Sequence, residues 1–148
     1  MDFNKAKQIH CLLFSFVGLF YEKVFIGFRQ ESKCDSSLKK NHKKILNILY
    51  LHDKLTITEI SKLSDIEKGS LTTLIDLLEE KGYITRLTDP ADRRKSLISL
   101  SDNGKKEMER VMNYFAQRMN ESLHKFSSDE IQKFQNNLEY VVDLMKKL

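Results

Sequence analysis

Proline, glycine and cysteine are scarce in this 148-residue chain, which contains one, five and two of them respectively. All-β proteins use proline and glycine in their many turns, so this scarcity favours long helices over a sandwich or barrel. Two cysteines, Cys11 and Cys34, are too few for a disulfide framework, and we expect a reducing, cytoplasmic setting. The sequence predicts a mainly helical protein whose core needs no disulfide, metal ion or other cofactor.

Hydrophobic runs long enough to span a membrane are also missing. The apolar segment Cys11–Phe20 follows Lys5 and Lys7 as in a signal peptide, but no small-x-small cleavage site comes after it. Glu22 and Lys23 interrupt it well short of the ~20 residues that a membrane span requires. We therefore expect no membrane partner and interpret the segment as a helix that buries one face. Its apolar residues recur at spacings of three and four: Ile9, Leu12, Leu13, Phe16, Phe20, Val24 and Phe28.

The composition and charge are those of a folded, basic domain. Hydrophobic residues make up 41% and charged residues 31% of the chain, which excludes a disordered or fibrous protein. The net charge is +4, and residues 1–55 hold 10 Lys/Arg against 5 Asp/Glu. A basic chain of this kind permits a polyanionic partner without requiring one.

Hydrophobic periodicity predicts six helices and one β-hairpin. Thr56 with Glu59 and Ser127 with Glu130 have the spacing of capping boxes, and Gly82 is suited to the end of a helix. The predicted helices cover residues 5–30, 37–52, 56–63, 67–81, 102–123 and 127–148, and the predicted strands cover 83–88 and 96–100.

A short helix, a turn, a second helix and a hairpin, in this order, are typical of a winged helix-turn-helix. We therefore predict a mainly α protein of the α+β winged-helix class. Ile60, Leu63, Ile66 and Leu71 would form a small core between the two helices, which leaves the N-terminal face of helix 67–81 exposed. That face carries Lys68, Gly69, Ser70, Thr72 and Thr73.

The exposed face suits the major groove of double-stranded DNA. Short hydroxyl side chains can contact bases or phosphates without holding a helix away, and Lys68 can neutralise a phosphate. The partial positive charge at the helix N-terminus acts in the same direction. Gly69 costs ~1 kcal/mol relative to Ala inside a helix. Either it permits close approach to the DNA backbone, or it is simply tolerated near the helix start.

Several short motifs between Leu55 and Gly104 are together specific enough to indicate a family. The most specific is the wing signature Asp89-Pro90-Ala91-Asp92-Arg93-Arg94, followed by the helix start Leu100-Ser101-Asp102-Asn103-Gly104. Others are Thr58-Glu59-Ile60-Ser61, Leu71-Thr72-Thr73-Leu74 and Leu78-Glu79-Glu80-Lys81-Gly82-Tyr83-Ile84. With these motifs the chain resembles the MarR family of winged-helix transcription regulators. The resemblance implies a single domain over residues 1–148, with a winged helix-turn-helix at 38–101 and dimerisation helices at 5–30 and 102–148.

At the wing tip, the resemblance implies that Arg94 reaches the minor groove and that Asp92 orients it. A narrow minor groove concentrates negative potential, and a carboxylate can fix a guanidinium in place. Arg93 and Lys95 would contact phosphates. The alternative is an ordinary solvated hairpin tip. Because residues 56–105 hold 8 Lys/Arg against 9 Asp/Glu, we expect modest affinity and a strong dependence on the wing.

The apolar faces of the first helix and of the last two helices are too extensive for a small winged domain to cover. Two copies that pack these faces around a two-fold axis would bury them. The resemblance implies such a homodimer on two half-sites of a pseudo-palindrome, about one helical turn apart. The alternative is a monomeric bundle in which the faces pack within one chain.

Regulators that resemble this chain respond to a small ligand or an oxidant. Phe14, Phe20, Tyr21 and Phe25 could line an apolar cleft for a small-molecule effector. Aromatic residues at helical spacing are, however, more often part of a core. Both interpretations stay open at the level of sequence.

The two cysteines raise the alternative of a redox switch. Cys34 lies beside Lys33 in a polar segment, where a cation favours the thiolate. Cys11 lies in an apolar helix and would be inert there, but the oxidant-sensing branch of the family carries a cysteine early in its first helix. Either residue is therefore a candidate redox site.

Signatures of catalysis and of metal binding are missing. The chain has no glycine-rich phosphate loop, nucleophile elbow or paired-carboxylate spacing, so we expect no enzymatic activity. We also expect no metal site, because the four histidines are scattered without an i, i+4 pair: His10, His42, His52 and His124.

Together these features predict a cytoplasmic, dimeric transcription regulator, a repressor, that binds double-stranded DNA and is released by a small ligand or an oxidant. The alternative is a winged helix that contacts other proteins and does not bind DNA. Such an adaptor would not need Arg94 at the wing tip. A DNA-binding protein would lose affinity steeply with salt, whereas an adaptor would not.

Overall fold

The computed structural model describes residues 2–26 and 37–148, which belong to two compact units. The central unit is Ser32–Asn113, and the terminal unit is Met1–Glu31 together with Tyr114–Leu148. The predicted loop after the first helix, the predicted end of that helix at residues 27–30, and Cys34 all lie outside the described residues.

Six α-helices, one π-helix and three strands occur in the described residues. Helix α1 (Phe3–Phe20) and the π-helix (Tyr21–Phe25) precede the central unit. There follow α2 (Lys40–His52), β1 (Lys54–Thr56), α3 (Ile57–Ser64), α4 (Lys68–Glu80), β2 (Ile84–Thr88), β3 (Ser96–Leu100), α5 (Asp102–Leu123) and α6 (Ser128–Met145).

The core of the central unit lies among α2, α3, α4, the start of α5 and the sheet. Fully burying one large aliphatic side chain contributes ~1.5–3 kcal/mol, so this core is the main source of stability in the unit. Ile66 and Leu74 are partly buried and pack against it. The buried apolar residues are Leu38, Ile45, Leu46, Leu49, Ile60, Leu71, Ile75, Leu78, Ile84, Ile98, Leu100 and Met108.

One predicted member of the small helix-turn-helix core is wrong. Ile60 and Leu71 are fully buried, but the side chain of Leu63 is 48% exposed. In α3 the buried positions are Ile60 and Ser64, one turn apart. Leu63 lies next to that line on the solvent side, so a small serine takes the place against the core.

The wing is part of a three-stranded antiparallel sheet with the order β1-β3-β2. In the hairpin, Ile84 is opposite Leu100 and Thr88 is opposite Ser96. On the other side of β3, Leu55 is opposite Ile98. The sequence predicted only the hairpin, because three residues of β1 are too few to show an alternating pattern.

The start of α5 is tied to the end of α4. Ser101 Oγ accepts the N–H of Gly104 at 3.0 Å and donates to the carbonyl of Gly82 at 2.5 Å. The backbone N–H of Ser101 donates to the carbonyl of Tyr83 at 3.0 Å. A Cβ on Gly104 would lie 2.0 Å from that same carbonyl oxygen, so no larger residue fits here. Gly82 has φ 75°, as expected for the residue after a helix end.

His42 is buried in the first turn of α2. Its Nδ1 accepts the backbone N–H of Lys39 at 3.0 Å, which satisfies one free donor at the helix terminus. Burial, followed by the nearby charges of Lys39 and Lys81, lowers the pKa of His42 below its ordinary value. Its surroundings in the folded protein therefore favour the neutral form of the imidazole. Lys81 also donates to Ser37 Oγ at 2.9 Å.

The terminal unit contrasts with the central one. Helices α1 and α6, both fully described, contain no buried residue. The predicted helix 5–30 begins two residues earlier, at Phe3, and changes to a π-helix at Tyr21. The predicted last helix begins with a capping box of Ser127 and Glu130, as expected, and ends at Met145. No helix among the described residues is long and apolar enough to cross a membrane.

Candidate nucleic-acid interface

Helices α3 and α4 form a helix-turn-helix. Thr56 caps α3: its Oγ1 accepts the N–H of Glu59 at 3.3 Å, and the Glu59 carboxylate accepts the N–H of Thr56 at 2.7 Å. The hydrogen bond from the Thr56 backbone is the main cause that lowers the pKa of Glu59. Asp65 ends α3 in the left-handed conformation with φ 54°, which an aspartate tolerates.

Side chains fix the turn between the two helices. Ser61 Oγ donates to the carbonyl of Ile66 at 2.7 Å, across the turn. Lys44 of α2 donates from Nζ to the carbonyl of Ser64 at 2.5 Å. A cation at the carbonyl end of α3 is favourable, because that end carries partial negative charge. The orientation of α4 is thereby defined from both sides of the turn.

The N-terminal face of α4 is exposed, while its opposite face is buried. Leu71, Ile75 and Leu78 are fully buried against the core. Thr72 Oγ1 donates to the carbonyl of Lys68 at 2.9 Å, so the hydroxyl proton is engaged and the oxygen can still accept a hydrogen bond. The five residues that the sequence singled out on this helix are all exposed: Lys68, Gly69, Ser70, Thr72 and Thr73.

Nothing in the described chain requires a glycine at position 69. A Cβ there would meet no atom within 4 Å. Its φ is not positive either, since among the described glycines only Gly82 has a positive φ. Gly69 therefore leaves open space in place of a Cβ at the exposed start of α4, and we call this space the notch.

Backbone and side-chain hydrogen bonds shape the wing loop between β2 and β3. The N–H of Asp89 donates to the carbonyl of Lys95 at 3.0 Å, and the N–H of Lys95 donates to the carbonyl of Asp92 at 2.8 Å. Asp89 Oδ1 also accepts the N–H of Ala91 at 2.8 Å. These bonds close the loop and leave its basic side chains outside it.

Asp92 lies at the centre of the charged wing tip. Its Oδ1 accepts the backbone N–H of Arg94 at 3.1 Å and the Nε–H of the same residue at 3.3 Å. Lys95 Nζ is 3.7 Å from Oδ2. The backbone hydrogen bond from Arg94 is the largest cause that lowers the pKa of Asp92, followed by the bond from its side chain. The Arg94 side chain is 92% exposed, and Arg93 is exposed as well.

Sequence inspection missed an ion pair between the wing and α4. Arg86 of β2 donates to Asp76, and its Nε is 3.2 Å from Glu79 Oε2. Two acidic residues three positions apart on a helix, with an arginine on the next strand, are the signal that could have indicated it.

Of the four candidate effector residues, three lie together. Phe20 and Tyr21 are 6.5 Å and 5.9 Å from Phe25 between ring centroids, and Phe25 is 5.5 Å from Phe115. Phe14 does not belong to this group, and its ring lies 6.4 Å from His10. Tyr21 and Phe25 are the first and last residues of the π-helix of the terminal unit, and Phe20 directly precedes it. π-Helical turns occur frequently at functional sites.

The remaining candidates can be placed in part. Cys11 is a free, exposed thiol on α1, whereas Cys34 lies outside the described residues. In residues 2–26 and 37–148, no group of three or more His, Cys, Asp or Glu side chains is placed to hold a metal ion.

Comparison of the sequence with known proteins places these elements in a family. A model of the MarR family matches residues 38–96. The uncharacterized HTH-type transcriptional regulator YpoP of Bacillus subtilis (strain 168) is 30% identical over 105 residues, which are 70% of this chain and 72% of YpoP. The HTH-type transcriptional repressor YetL of the same organism is 28% identical over 107 residues, which are 71% of this chain and 62% of YetL.

A solved structure confirms the predicted mainly α winged-helix fold. The transcriptional regulator Tm0710 from Thermotoga maritima superposes with a TM-score of 0.71 over 95% of this chain and 96% of its own, at 21% sequence identity. The relatives in sequence are regulators of transcription rather than enzymes. The chain is thus a member of the MarR family of helix-turn-helix transcriptional regulators.

Proposed function

We propose that this protein is a cytoplasmic repressor that binds a short pseudo-palindromic DNA duplex as a homodimer and releases it in response to a small ligand or an oxidant. Residues 38–101 read the DNA in a single domain of residues 1–148. Helices in 5–30 and 102–148 join the two copies. The observation that carries the proposal is that the polar face of α4 and the Arg94 guanidinium are both exposed. Hydrogen bonds hold the turn before α4 and the wing loop in place.

Helix α4 enters the major groove with its N-terminal face. Ser70 and Thr73 reach base edges, and Lys68 contacts a phosphate beside the positive end of the helix. The hydroxyl proton of Thr72 is engaged by the Lys68 carbonyl, so Thr72 presents an acceptor. An acceptor is complementary to the amino groups of adenine and cytosine in this groove. The notch at Gly69 allows the helix to approach the backbone closely.

The wing enters the adjacent minor groove with Arg94. Asp92 accepts its Nε–H, and the Arg94 side chain is 92% exposed, so its terminal nitrogens are accessible to DNA. A guanidinium held in this way loses less conformational entropy on binding than a free one. Arg93 and Lys95 contact the phosphates on either side. Asp92 pairs with two cations, which limits its repulsion of the DNA.

The apolar faces of the terminal unit are covered by a second copy. On α1, Leu12 is 71% exposed, and Phe16 one turn later is exposed as well. On α6, the exposed residues Leu138, Val141 and Met145 follow one another at spacings of three and four. Single exposed apolar residues are normal, but a continuous series along two helices indicates an interface. A two-fold dimer also presents two copies of α4 to the two half-sites.

Release of the DNA starts in the terminal unit. The aromatic group of Phe20, Tyr21 and Phe25 offers apolar ring surface suited to a small aromatic effector, and Phe14 is the outlying candidate. Cys11 is accessible to an oxidant, and Cys34 is the second candidate thiol. Titrating the protein–DNA complex with hydrogen peroxide and with small aromatic acids separates these two routes.

The test is selection of bound duplexes from a random pool with the purified protein. We expect two inverted half-sites whose centres lie about one helical turn apart. Binding to the selected duplex is then measured against salt concentration. Its affinity should fall steeply, with a slope close to the number of phosphates contacted.

Arg94→Ala should weaken binding about tenfold, and Lys125→Ala serves as the control. Lys125 is an exposed cation in the connection between α5 and α6, outside the helix-turn-helix and the wing. A protein that selects no duplex, shows flat salt dependence and tolerates Arg94→Ala would instead be the protein–protein adaptor.

A further inference from the structure

We propose that Arg86 is a positioning residue for DNA recognition, which fixes the angle between the wing and α4 through Asp76 and Glu79. We call these three residues the clasp. The inference rests on the proposed function and deepens it, because it assigns a role at the same interface to residues that contact no DNA.

The clasp joins the two elements that read DNA. Arg86 belongs to β2, the first strand of the wing, and both of its partners belong to α4. Its Nη2 donates to Asp76 Oδ1, and its Nε is 3.2 Å from Glu79 Oε2. A planar guanidinium that pairs with two separate carboxylates is fixed in direction as well as in distance.

The clasp is located where the apolar support of the wing ends. Arg86 is opposite Ile98, which is the fully buried residue of β3 that lies nearest to the loop. Beyond it, Leu87, Thr88 and Ser96 are exposed. At about 3.3 Å per residue, the loop begins roughly 10 Å past Arg86, so a tilt of about 10° at the clasp moves the wing tip by about 2 Å. Such a displacement is enough to break a hydrogen bond in the minor groove.

Stability alone does not account for the clasp. The side chains of Arg86, Asp76 and Glu79 are 32%, 57% and 42% exposed. Ion pairs with this exposure contribute little to the stability of a fold, because water and salt screen them. A loss of DNA affinity without a comparable loss of stability would therefore indicate a positioning role.

A direct contact between Arg86 and a phosphate is the alternative, and the carboxylates distinguish the two. If Arg86 acts through the clasp, removing its partners impairs binding. If Arg86 contacts DNA itself, removing two negative charges near the duplex leaves binding unchanged or improves it. The two mechanisms thus predict different results for the same substitution: weaker binding for the clasp, and unchanged or stronger binding for a direct contact.

The experiment measures affinity for the selected duplex and the urea midpoint for each of three variants. We expect Arg86→Ala to weaken binding about tenfold and the pair Asp76→Asn with Glu79→Gln to weaken it by a similar factor. Arg86→Lys keeps the charge but cannot pair in two directions, so it should recover only part of the loss. Glu80→Gln is the control, since it removes one charge from the same helix at a residue with which Arg86 does not pair in the described chain.

A double-mutant cycle with Arg94→Ala gives the decisive comparison. Arg94→Ala should cost about tenfold in the wild type but only about twofold in the Arg86→Ala protein, because a displaced wing has already lost its contact. Additive losses, or unchanged binding by the carboxylate pair, would overturn the clasp while leaving the proposed function intact. If the wild type binds no duplex, the proposed function fails first and the clasp with it.

Discussion

The central and terminal units contain the same kind of amphipathic helix but differ in how far the apolar face of that helix is buried. In the central unit, α4 carries a stripe of leucine and isoleucine that is fully buried. In the terminal unit, α1 and α6 have comparable stripes and bury no residue. Hydrophobic periodicity therefore identifies a face that needs a partner, but it does not say whether the partner lies in the same chain.

The difference separates the parts of the protein by what stabilises them. The part proposed to read DNA has its own core and its own hydrogen-bonded turn. Helices α1 and α6 of the part proposed to form the dimer bury no residue in the single chain. If a second copy covers them as proposed, the stability of this part should vary with protein concentration. Five sets of substitutions test this division of the molecule.

Truncation of a core residue should have the largest effect. Ile75→Ala removes a fully buried side chain of α4 and should lower the free energy of unfolding by ~2–5 kcal/mol at any protein concentration. Leu138→Ala, at a position of α6 that is 36% exposed in one chain, should cost stability only where the dimer forms. Urea unfolding at two protein concentrations measures both. Equal concentration dependence for the two variants would contradict the division.

Glycine substitutions should differ in sign between the units. At Gly104 a Cβ would lie 2.0 Å from the Tyr83 carbonyl oxygen, so Gly104→Ala should destabilise the protein by ~1–3 kcal/mol. At Gly18 in α1 a Cβ meets nothing within 4 Å, so Gly18→Ala should stabilise the monomer by up to ~1 kcal/mol. Thermal unfolding of dilute protein measures both changes. A loss at Gly18 as large as that at Gly104 would show that α1 is packed within the single chain.

Removal of a helix cap should lower the free energy of unfolding by the same amount in both units. Thr56 Oγ1 and Ser127 Oγ each accept an N–H at 3.3 Å from the glutamate three residues later. Thr56→Ala and Ser127→Ala should each lower stability by ~1 kcal/mol, because a cap acts on its own helix. Urea midpoints of the two single variants test this, and a clear difference between them would mean that one cap supports tertiary or dimer contacts.

Gly69→Ala should separate folding from DNA binding. The added Cβ meets no atom of the described chain, so stability should rise by a few tenths of a kcal/mol up to ~1. The affinity for the selected duplex should fall, because the methyl group fills the notch and holds α4 away from the DNA backbone. Calorimetry and a binding titration of the same variant check the two effects, and unchanged affinity would mean that Gly69 is merely tolerated.

His42 should give the smallest effect, confined to acidic solution. Its pKa lies below the ordinary value of 6.5 in the folded protein, so below that pH the unfolded chain binds more protons than the folded one. The contribution of neutral His42 to the free energy of unfolding is therefore fully present above pH 6.5. It is lost as the pH drops towards the pKa of His42 in the folded protein. His42→Gln keeps an acceptor for the Lys39 N–H without titrating, and should flatten this part of the profile. His52→Gln, at an exposed residue, is the control and should leave the fall in place.

Much of the central unit could be predicted from the sequence because its signals are local. The capping box at Thr56, the glycine after α4 and the alternation in β2 and β3 each depend on residues close together in the chain. The pairing of Asp92 with Arg94 also lies within one turn. The family motifs fall in the same segment.

The features that the sequence did not predict depend on distant partners. Strand β1 has three residues and forms only because β3 offers a free edge. Arg86 finds its partners seven and ten positions away on another element. The exposure of Leu63 follows from the burial of Ile60 and Ser64 on the neighbouring line of α3. The π-helix begins at Tyr21 within a continuous apolar pattern. None of these has a periodic signature.

In the proposed complex, α4 and the wing contact neighbouring grooves of one duplex in a symmetric dimer. An iron chelate that cleaves DNA, attached at Ser70→Cys or at Arg93→Cys in a chain with Cys11→Ser and Cys34→Ser, tests this claim. We predict cuts inside each half-site from position 70 and cuts in the flanking minor groove from position 93, related by two-fold symmetry. Absence of cuts from either position, or a single unsymmetric pattern, would contradict the claim.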